Sequence, residues 1–241
     1  MTGDVRMPYC GVAPVPADLW GRWNFDPVLL VALLVLLGLW LRFGRNDRNP
    51  LFFGAAYLGL ILAFVSPLCA LTSALFAARS LHHVLLVALV APLMALAMPR
   101  RFGSGGIGAA LAVSSVVLWV WHVPAAYEAA LSSSLLYWAL QLALLGSFVW
   151  FWHAVLRGEG HPVGALLAVG ANAGQMGLLA AVLTLAPEPL YAAHFVAPFA
   201  WGLNALSDQQ LGGLIMWVPA FFLYGLFSMT AARRAVRGVE A

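Results

Sequence analysis

The sequence contains no lysine and little charge of any kind: 9% of its 241 residues are charged, against roughly 25% in a soluble domain. Hydrophobic residues make up 63% of the chain, in unbroken runs without the period-two alternation of barrel strands. The sequence therefore predicts an all-α integral membrane protein. Its positive balance of +3 comes from arginines scattered in short loops, which argues against a nucleic-acid partner.

The motifs of several enzyme classes are also missing. There is no GxSxG nucleophile turn and no GxxxxGK[ST] phosphate loop, and the acidic residues are too dispersed for a paired-carboxylate site. We predict that the protein is not an enzyme. CxxC, HxxxH and HExxH are absent as well, so a metal site would depend on side chains that converge from different helices.

A membrane-spanning helix needs about 20 mostly apolar residues. Seven segments predict a seven-transmembrane-helix bundle that forms one domain over residues 1–241, with an extracytoplasmic N-terminal segment at residues 1–26. The predicted spans are residues 27–43, 51–75, 81–98, 107–121, 135–156, 163–186 and 211–232. Ser66 and Pro67 predict a kink in the second span, and Gly170 and Gly174 predict close helix packing along the sixth.

The arginines predict the orientation of the bundle. With the C-terminus in the cytoplasm, nine arginines lie inside and three lie outside, as the positive-inside rule expects. The inner set is Arg42, Arg45, Arg48, Arg100, Arg101, Arg157, Arg233, Arg234 and Arg237, and the outer set is Arg6, Arg22 and Arg79. We predict an extracytoplasmic N-terminus and a cytoplasmic C-terminus.

On this topology, side chains that bind soft metals gather at the extracytoplasmic face. They are His82, His83, His122, His194, Cys10, Cys69, Asp208 and Met216. Asp208, Gly212 and Met216 share one stripe of the last span, which puts Met216 roughly 12 Å deeper than Asp208. Imidazole, thiolate and thioether groups suit copper, and the soft ligands favour Cu(I). The pattern therefore indicates a copper site, with Cu(I) as the expected ion.

Each candidate ligand also has a structural interpretation. His82 and His83 are alternatively interfacial residues that reach water, and His122 is alternatively part of an aromatic belt. His194 is alternatively a solvated loop residue, and Asp208 a helix cap.

The remaining candidates have alternatives too. Cys10 and Cys69 share an oxidising compartment on this topology, so they form either a disulfide or part of a Cu(I) site. Met216 is alternatively a packing residue. Asn172 and Gln175, halfway along the sixth span, predict hydrogen bonds between helices.

Six motifs follow one another along the chain: RWNFDP (22–27), SPL (66–68), HHVLLVALVAPL (82–93), WHVPAAYEAAL (121–131), APEPLY (186–191) and LSDQQLGGLIMWVP (206–219). In this order they resemble the CtaG (caa3-type) family of cytochrome c oxidase assembly factors, over nearly the whole chain. The positions that match the family's polar motif residues are His82, His83, His122, Asp208, Gln209 and Met216.

The resemblance implies a multi-pass protein of the bacterial plasma (inner) membrane that supports assembly of a haem–copper oxidase through copper delivery or insertion. The implied partners are oxidase subunits and a copper carrier. Other family members often carry further histidines at the outer starts of spans three and five, where this chain has Arg79, Tyr137 and Gln141. The ligand set is therefore left open.

Three other functions compete with a copper-binding assembly factor. The first is a redox protein with a b-type haem held by His83 and His122. The second is a scaffold that stabilises oxidase subunits without a metal. The third is a copper transporter, for which only Met176 and Met216 provide deep soft ligands.

Overall fold

The computed structural model describes residues 8–43, 50–98, 106–157 and 162–239. Within these ranges there are α-helices, short 3-10 turns and no strand. The helices are α1 (Pro27–Phe43), α2 (Pro50–Phe64), α3 (Pro67–Ala74), α4 (Phe76–Ala97), α5 (Ile107–His122), α6 (Pro124–Ser132), α7 (Ser134–Arg157), α8 (Pro162–Leu185) and α9 (Ala205–Val239). The predicted all-α class is confirmed for this part of the chain.

The helices provide four to six candidate membrane spans. Four are α4, α7, α8 and the Ala205–Met229 part of α9. Two more are formed if each bent pair counts as one span: α2 with α3, bent by 47°, and α5 with α6, bent by 74°. α1 overlaps the first predicted span but has only 17 residues. The predicted count of seven and the predicted orientation therefore remain predictions.

Five of the arginines on which the orientation depends lie outside the described residues. They are Arg6, Arg45, Arg48, Arg100 and Arg101.

Proline and its neighbours determine both bends. Pro67 cannot donate a backbone hydrogen bond, and the Ser66 hydroxyl caps the new helix by accepting from the Leu68 N–H at 3.2 Å. This confirms the predicted kink. The second bend was not predicted: Val123 is extended before Pro124, as the residue before a proline tends to be, and α6 begins there.

The interior of α4 contains a π-helical segment, Leu85–Val90. Pro92 follows it, and a proline ring in a regular α-helix would clash with the carbonyl four residues earlier. The Ala91 N–H instead donates to the Leu86 carbonyl, one residue further back than in an α-helix. The wider turn therefore lets α4 continue through Pro92.

α4 lies at the centre of the bundle. Of the apolar stretch of α4, 67% is buried inside the protein, whereas only 33% of the apolar stretch of α9 is buried. α9 approaches α4 closely at Gly212, where an added Cβ would lie 2.6 Å from the Phe76 ring. The predicted close packing at Gly170 and Gly174 is wrong, because a Cβ at either position would meet no atom within 4 Å.

Candidate metal-binding site

The histidine pair of α4 lies inside the protein. His82 is fully buried and His83 is 1% exposed. The predicted span begins at Leu81, but the helix begins at Phe76, so both histidines lie in its second turn instead of at its outer end. The alternative in which they reach water at the interface is therefore wrong.

His122 joins this pair from another helix. It is the last residue of α5, just before the bend at Val123, and it is also buried. The ring centres of His83 and His122 are 5.4 Å apart, and those of His82 and His83 are 5.8 Å apart. We call these three residues the histidine cluster.

Most ring nitrogens of the histidine cluster have no hydrogen-bond partner in the described part of the chain. His122 Nδ1 pairs with the Leu118 carbonyl at 2.8 Å, but its Nε2 has no hydrogen-bond partner among the described residues. Both ring nitrogens of His82 and of His83 also lack one, although the backbone of Ala63 lies near the His82 ring. An unpaired buried polar atom costs about 1–3 kcal/mol. The histidine cluster contains five such atoms.

The walls of the cluster are aromatic. The Phe64 ring lies edge-on to His82 with 5.0 Å between ring centres, and the Trp121 ring lies 4.7 Å from His83. Aromatic rings therefore contact two of the three imidazoles.

The ring spacing is compatible with shared coordination. Imidazoles that bind one ion with metal–nitrogen distances of about 2.0 Å have ring centres about 5–6 Å apart. As the side chains stand, however, no group of three or more His, Cys, Asp or Glu residues within the described ranges is arranged to hold an ion. The histidine cluster is therefore not a preformed metal site in this arrangement.

Arg79 shares a face of α4 with the histidine pair. It is 1% exposed and has no carboxylate partner among the described residues. Its Nη2 donates to the Thr72 carbonyl at 3.2 Å, near the C-terminal end of α3, and its guanidinium lies 5.4 Å from the centre of the Tyr137 ring. This fixed positive charge repels a divalent ion about twice as strongly as a monovalent one.

The three positions at which the resemblance implies extra histidines lie together in the fold. Tyr137 Oη is 3.5 Å from Arg79 Nη1 and accepts a hydrogen bond from Gln141 Nε2 at 3.1 Å. These residues form a polar group of their own beside the histidine cluster.

Asp208 caps a helix, but not its own. One carboxylate oxygen accepts from the Phe76 N–H at 2.7 Å and the other from the Ala77 N–H at 3.0 Å, and the residue is fully buried. Both groups belong to the first turn of α4, whose own N-cap residue, Leu75, has no side chain that can cap it. Asp208 therefore fixes the start of the helix that carries the histidine pair.

The neighbouring Gln209 has a similar structural role. Its Oε1 accepts from the Leu190 N–H at 2.6 Å, and its Nε2 donates to the Leu183 carbonyl at 3.1 Å. The polar start of α9 thus fastens α4, α8 and the following loop to one another.

His194 is buried and fully hydrogen-bonded. Tyr127 Oη lies 2.6 Å from His194 Nε2, and His194 Nδ1 lies 3.3 Å from the Ala74 carbonyl. Burial lowers the pKa of His194 to about 4. The solvated-loop interpretation is wrong, and neither nitrogen of His194 is available in this arrangement.

Cys10 and Cys69 form a disulfide, one of the two uses that the sequence left open. Sulfur atoms in a disulfide are not thiolates and do not offer the ligand that Cu(I) selects. The bond ties the N-terminal segment to α3. Tyr9, next to Cys10, stacks on Tyr137 with 5.1 Å between ring centres.

The polar residues of α8 form hydrogen bonds between helices, as predicted. Asn172 Nδ2 donates to Ser114 Oγ at 3.0 Å, and Tyr224 Oη donates to Asn172 Oδ1 at 2.6 Å. Gln175 accepts from the Trp119 indole at 3.0 Å.

The described part of the chain defines a class: an all-helical protein in which several helices are long and apolar enough to cross a membrane. The family model of the cytochrome c oxidase caa3 assembly factor (CtaG) matches residues 108–238, which is more than half of the chain. The chain belongs to this family. No curated protein and no solved structure matched it.

The matched region contains part of the site. It includes His122, His194, Asp208 and Met216, whereas the α4 histidine pair lies before it. The family description names a role in oxidase assembly.

Proposed function

We propose that this assembly factor binds copper, as Cu(I), at the histidine cluster and delivers it to a haem–copper oxidase. The observation that carries the proposal is the set of five unpartnered imidazole nitrogens on His82, His83 and His122. Imidazole suits copper, and the nearby Arg79 favours a monovalent over a divalent ion.

Met216 supplies a soft ligand at the same depth in this proposal. α4 and α9 run in the same direction, because Asp208 contacts the first turn of α4 and Gly212 faces Phe76 and Ser80. One further turn along both helices brings Met216 to the level of His83. Met216 is 1% exposed, so its thioether faces the protein interior.

The proposed site lies towards the extracytoplasmic side of the bacterial plasma membrane. Three features support this orientation: the distribution of the arginines, the disulfide at the same end of the bundle, and the position of the cluster near the first turns of α4. The proposed partners are oxidase subunits and a copper carrier. In this role Cys10 and Cys69 act as a tether, and Asp208 fixes the first turn of α4.

The haem alternative fits the geometry less well. Two axial imidazoles on one haem iron have ring centres about 6 Å apart, with the macrocycle between them. His83 and His122 have ring centres 5.4 Å apart, and the Trp121 ring lies 4.7 Å from His83, in the space beside it. We expect the purified protein to have no Soret band.

The test is Cu(I) titration of the detergent-purified protein with an optical spectrum. We expect one equivalent of Cu(I) in the parent protein and none in the His82→Ala/His83→Ala double variant. His194→Gln is the matched control: it alters a buried histidine whose nitrogens are already engaged, so it should keep the copper.

A parallel measurement addresses the scaffold alternative. Oxidase activity in membranes of cells that carry the double variant should fall to that of cells without the protein. Copper retained by the double variant would rule out the histidine cluster as the copper site. Full oxidase activity with the double variant would also rule it out, and would support a metal-free scaffold.

A further inference from the structure

An apolar groove lies between α1 and the rest of the bundle. It has a volume of about 390 Å³ and is lined by α1, by the end of α2 and by α7. Its lining includes Leu33 and Leu36 of α1, Leu60 of α2, and Trp138 and Leu145 of α7. This size and character are those of a small-molecule site.

α1 contacts the bundle near both of its ends, and the groove lies between these contacts. Near the end of α1 the Trp40 ring stacks on Phe53 of α2, with 4.4 Å between ring centres. Just before α1, the Asn24 side chain donates to the Phe64 carbonyl at 3.0 Å, and the Asn24 N–H donates to the Val65 carbonyl at 2.8 Å. Along α1 itself only Leu29 and Leu33 are buried. The helix therefore stands away from α7 and leaves a gap open to the outside.

One polar side chain lines this apolar space. Gln141 is 1% exposed, and its Nε2 donates a hydrogen bond to Tyr137 Oη. Its Oε1 has no hydrogen-bond partner among the described residues. A buried amide oxygen without a donor costs about 1–3 kcal/mol, and a ligand that brings a donor removes that cost.

The length of the groove suits an alkyl or prenyl chain. The lining runs from Val28 to Leu36 on α1 and from Trp138 to Leu145 on α7, so it is about 10–12 Å long at 1.5 Å per residue. At the mouth, Val28 and Leu142 are 76% and 63% exposed, which gives access from the lipid side.

We propose that the groove binds a single-chain lipid alcohol, prenyl or alkyl, whose hydroxyl donates a hydrogen bond to Gln141 Oε1. An ordinary phospholipid acyl chain fills the apolar part but has no donor at that depth. The site adjoins the histidine cluster, because the Phe64 ring lines the groove and contacts His82. The inference does not depend on copper binding.

The experiment uses the full-length protein in nanodiscs and a photoreactive diazirine analogue of farnesol, with its methyl ether as the matched probe. The ether keeps the chain but cannot donate. We expect the alcohol to label the parent protein at an apparent affinity about five- to tenfold higher than the ether, as one hydrogen bond predicts. Gln141→Leu should remove the difference.

A pair of α1 variants tests the position. Ala32 lines the groove, so Ala32→Trp should fill it and abolish labelling, whereas Val31 is 58% exposed and outside the lining, so Val31→Trp should label like the parent. The comparison of alcohol and ether on the parent needs no variant to fold. Equal labelling by both probes, or unchanged labelling of Ala32→Trp, would overturn the proposal and leave only a lipid-filled crevice.

Discussion

At the scale of single residues, the buried histidines differ in whether their nitrogens are engaged. His194 has a partner for each nitrogen, and its role is to join the loop before α9 to α3 and α6. The three residues of the histidine cluster have one partner among six nitrogens in the described part of the chain. Burial alone would not have separated the two kinds, because all four side chains are at most 5% exposed.

His194 gives a prediction about pH. The unfolded chain protonates this residue below its ordinary pKa of 6.5, whereas the folded protein does so only near a pKa of about 4. Between these values the unfolded state binds more protons, so the free energy of unfolding decreases as the pH falls, by up to about 3 kcal/mol. His194→Gln keeps an acceptor for Tyr127 and removes the titration.

The measurement is the melting temperature of both proteins in detergent from pH 4 to pH 7. The parent should lose stability towards pH 4 more steeply than His194→Gln, and the two curves should run parallel above pH 6.5. Parallel curves over the whole range would show that His194 is not kept neutral in the folded state.

The candidate ligands were predictable as residues, but their surroundings were not. The sequence predicts His82 at the membrane surface because the apolar stretch of the third span begins at Leu81. The helix in fact begins five residues earlier, since Asp208 caps Phe76 and Ala77 from a position more than 130 residues away in sequence. Such a cap leaves no local signal, so no reading of residues 70–85 could have found it.

At the scale of helices, α8 and α9 approach each other most closely beside Gly213. A Cβ at Gly213 would lie 2.8 Å from the Ala180 carbonyl oxygen and would also contact Thr184. A backbone atom cannot rotate away, so Gly213→Ala must push the helices apart. We expect a loss of about 1–3 kcal/mol of stability.

Gly225→Ala in the same helix is the control, because a Cβ there meets no atom within 4 Å. It should be neutral or stabilising by up to about 1 kcal/mol. Melting temperatures in detergent compare the two variants, and equal values would contradict the close contact of α8 and α9 at Gly213.

The helices themselves were largely predictable because their signal is local. Each predicted span overlaps a helix or a bent pair, and the kink at Ser66 follows from the proline beside it. Glycine spacing was a poor guide, since Gly170 and Gly174 face open space whereas Gly212 and Gly213 make the close contacts. Which face of a helix meets a neighbour depends on the whole packing arrangement.

At the scale of the whole molecule, the proposed orientation can be measured directly. Nine arginines against three predict that the C-terminus is cytoplasmic. Green fluorescent protein fused after residue 241 should therefore fluoresce, and alkaline phosphatase fused at the same place should be inactive. Phosphatase fused in the loop between α8 and α9 should be active. The opposite pattern would place the histidine cluster on the cytoplasmic side.

The cap that Asp208 provides has a consequence for how the protein is made. The first turn of the helix that carries the histidine pair is completed by a residue of α9, more than 130 residues later in the chain. During synthesis, α4 can enter the membrane long before its N-terminal N–H groups find their acceptor. The start of α4 therefore reaches its final form only after α9 has been synthesised, and a chain cut before α9 would leave the Phe76 and Ala77 N–H groups without their acceptor.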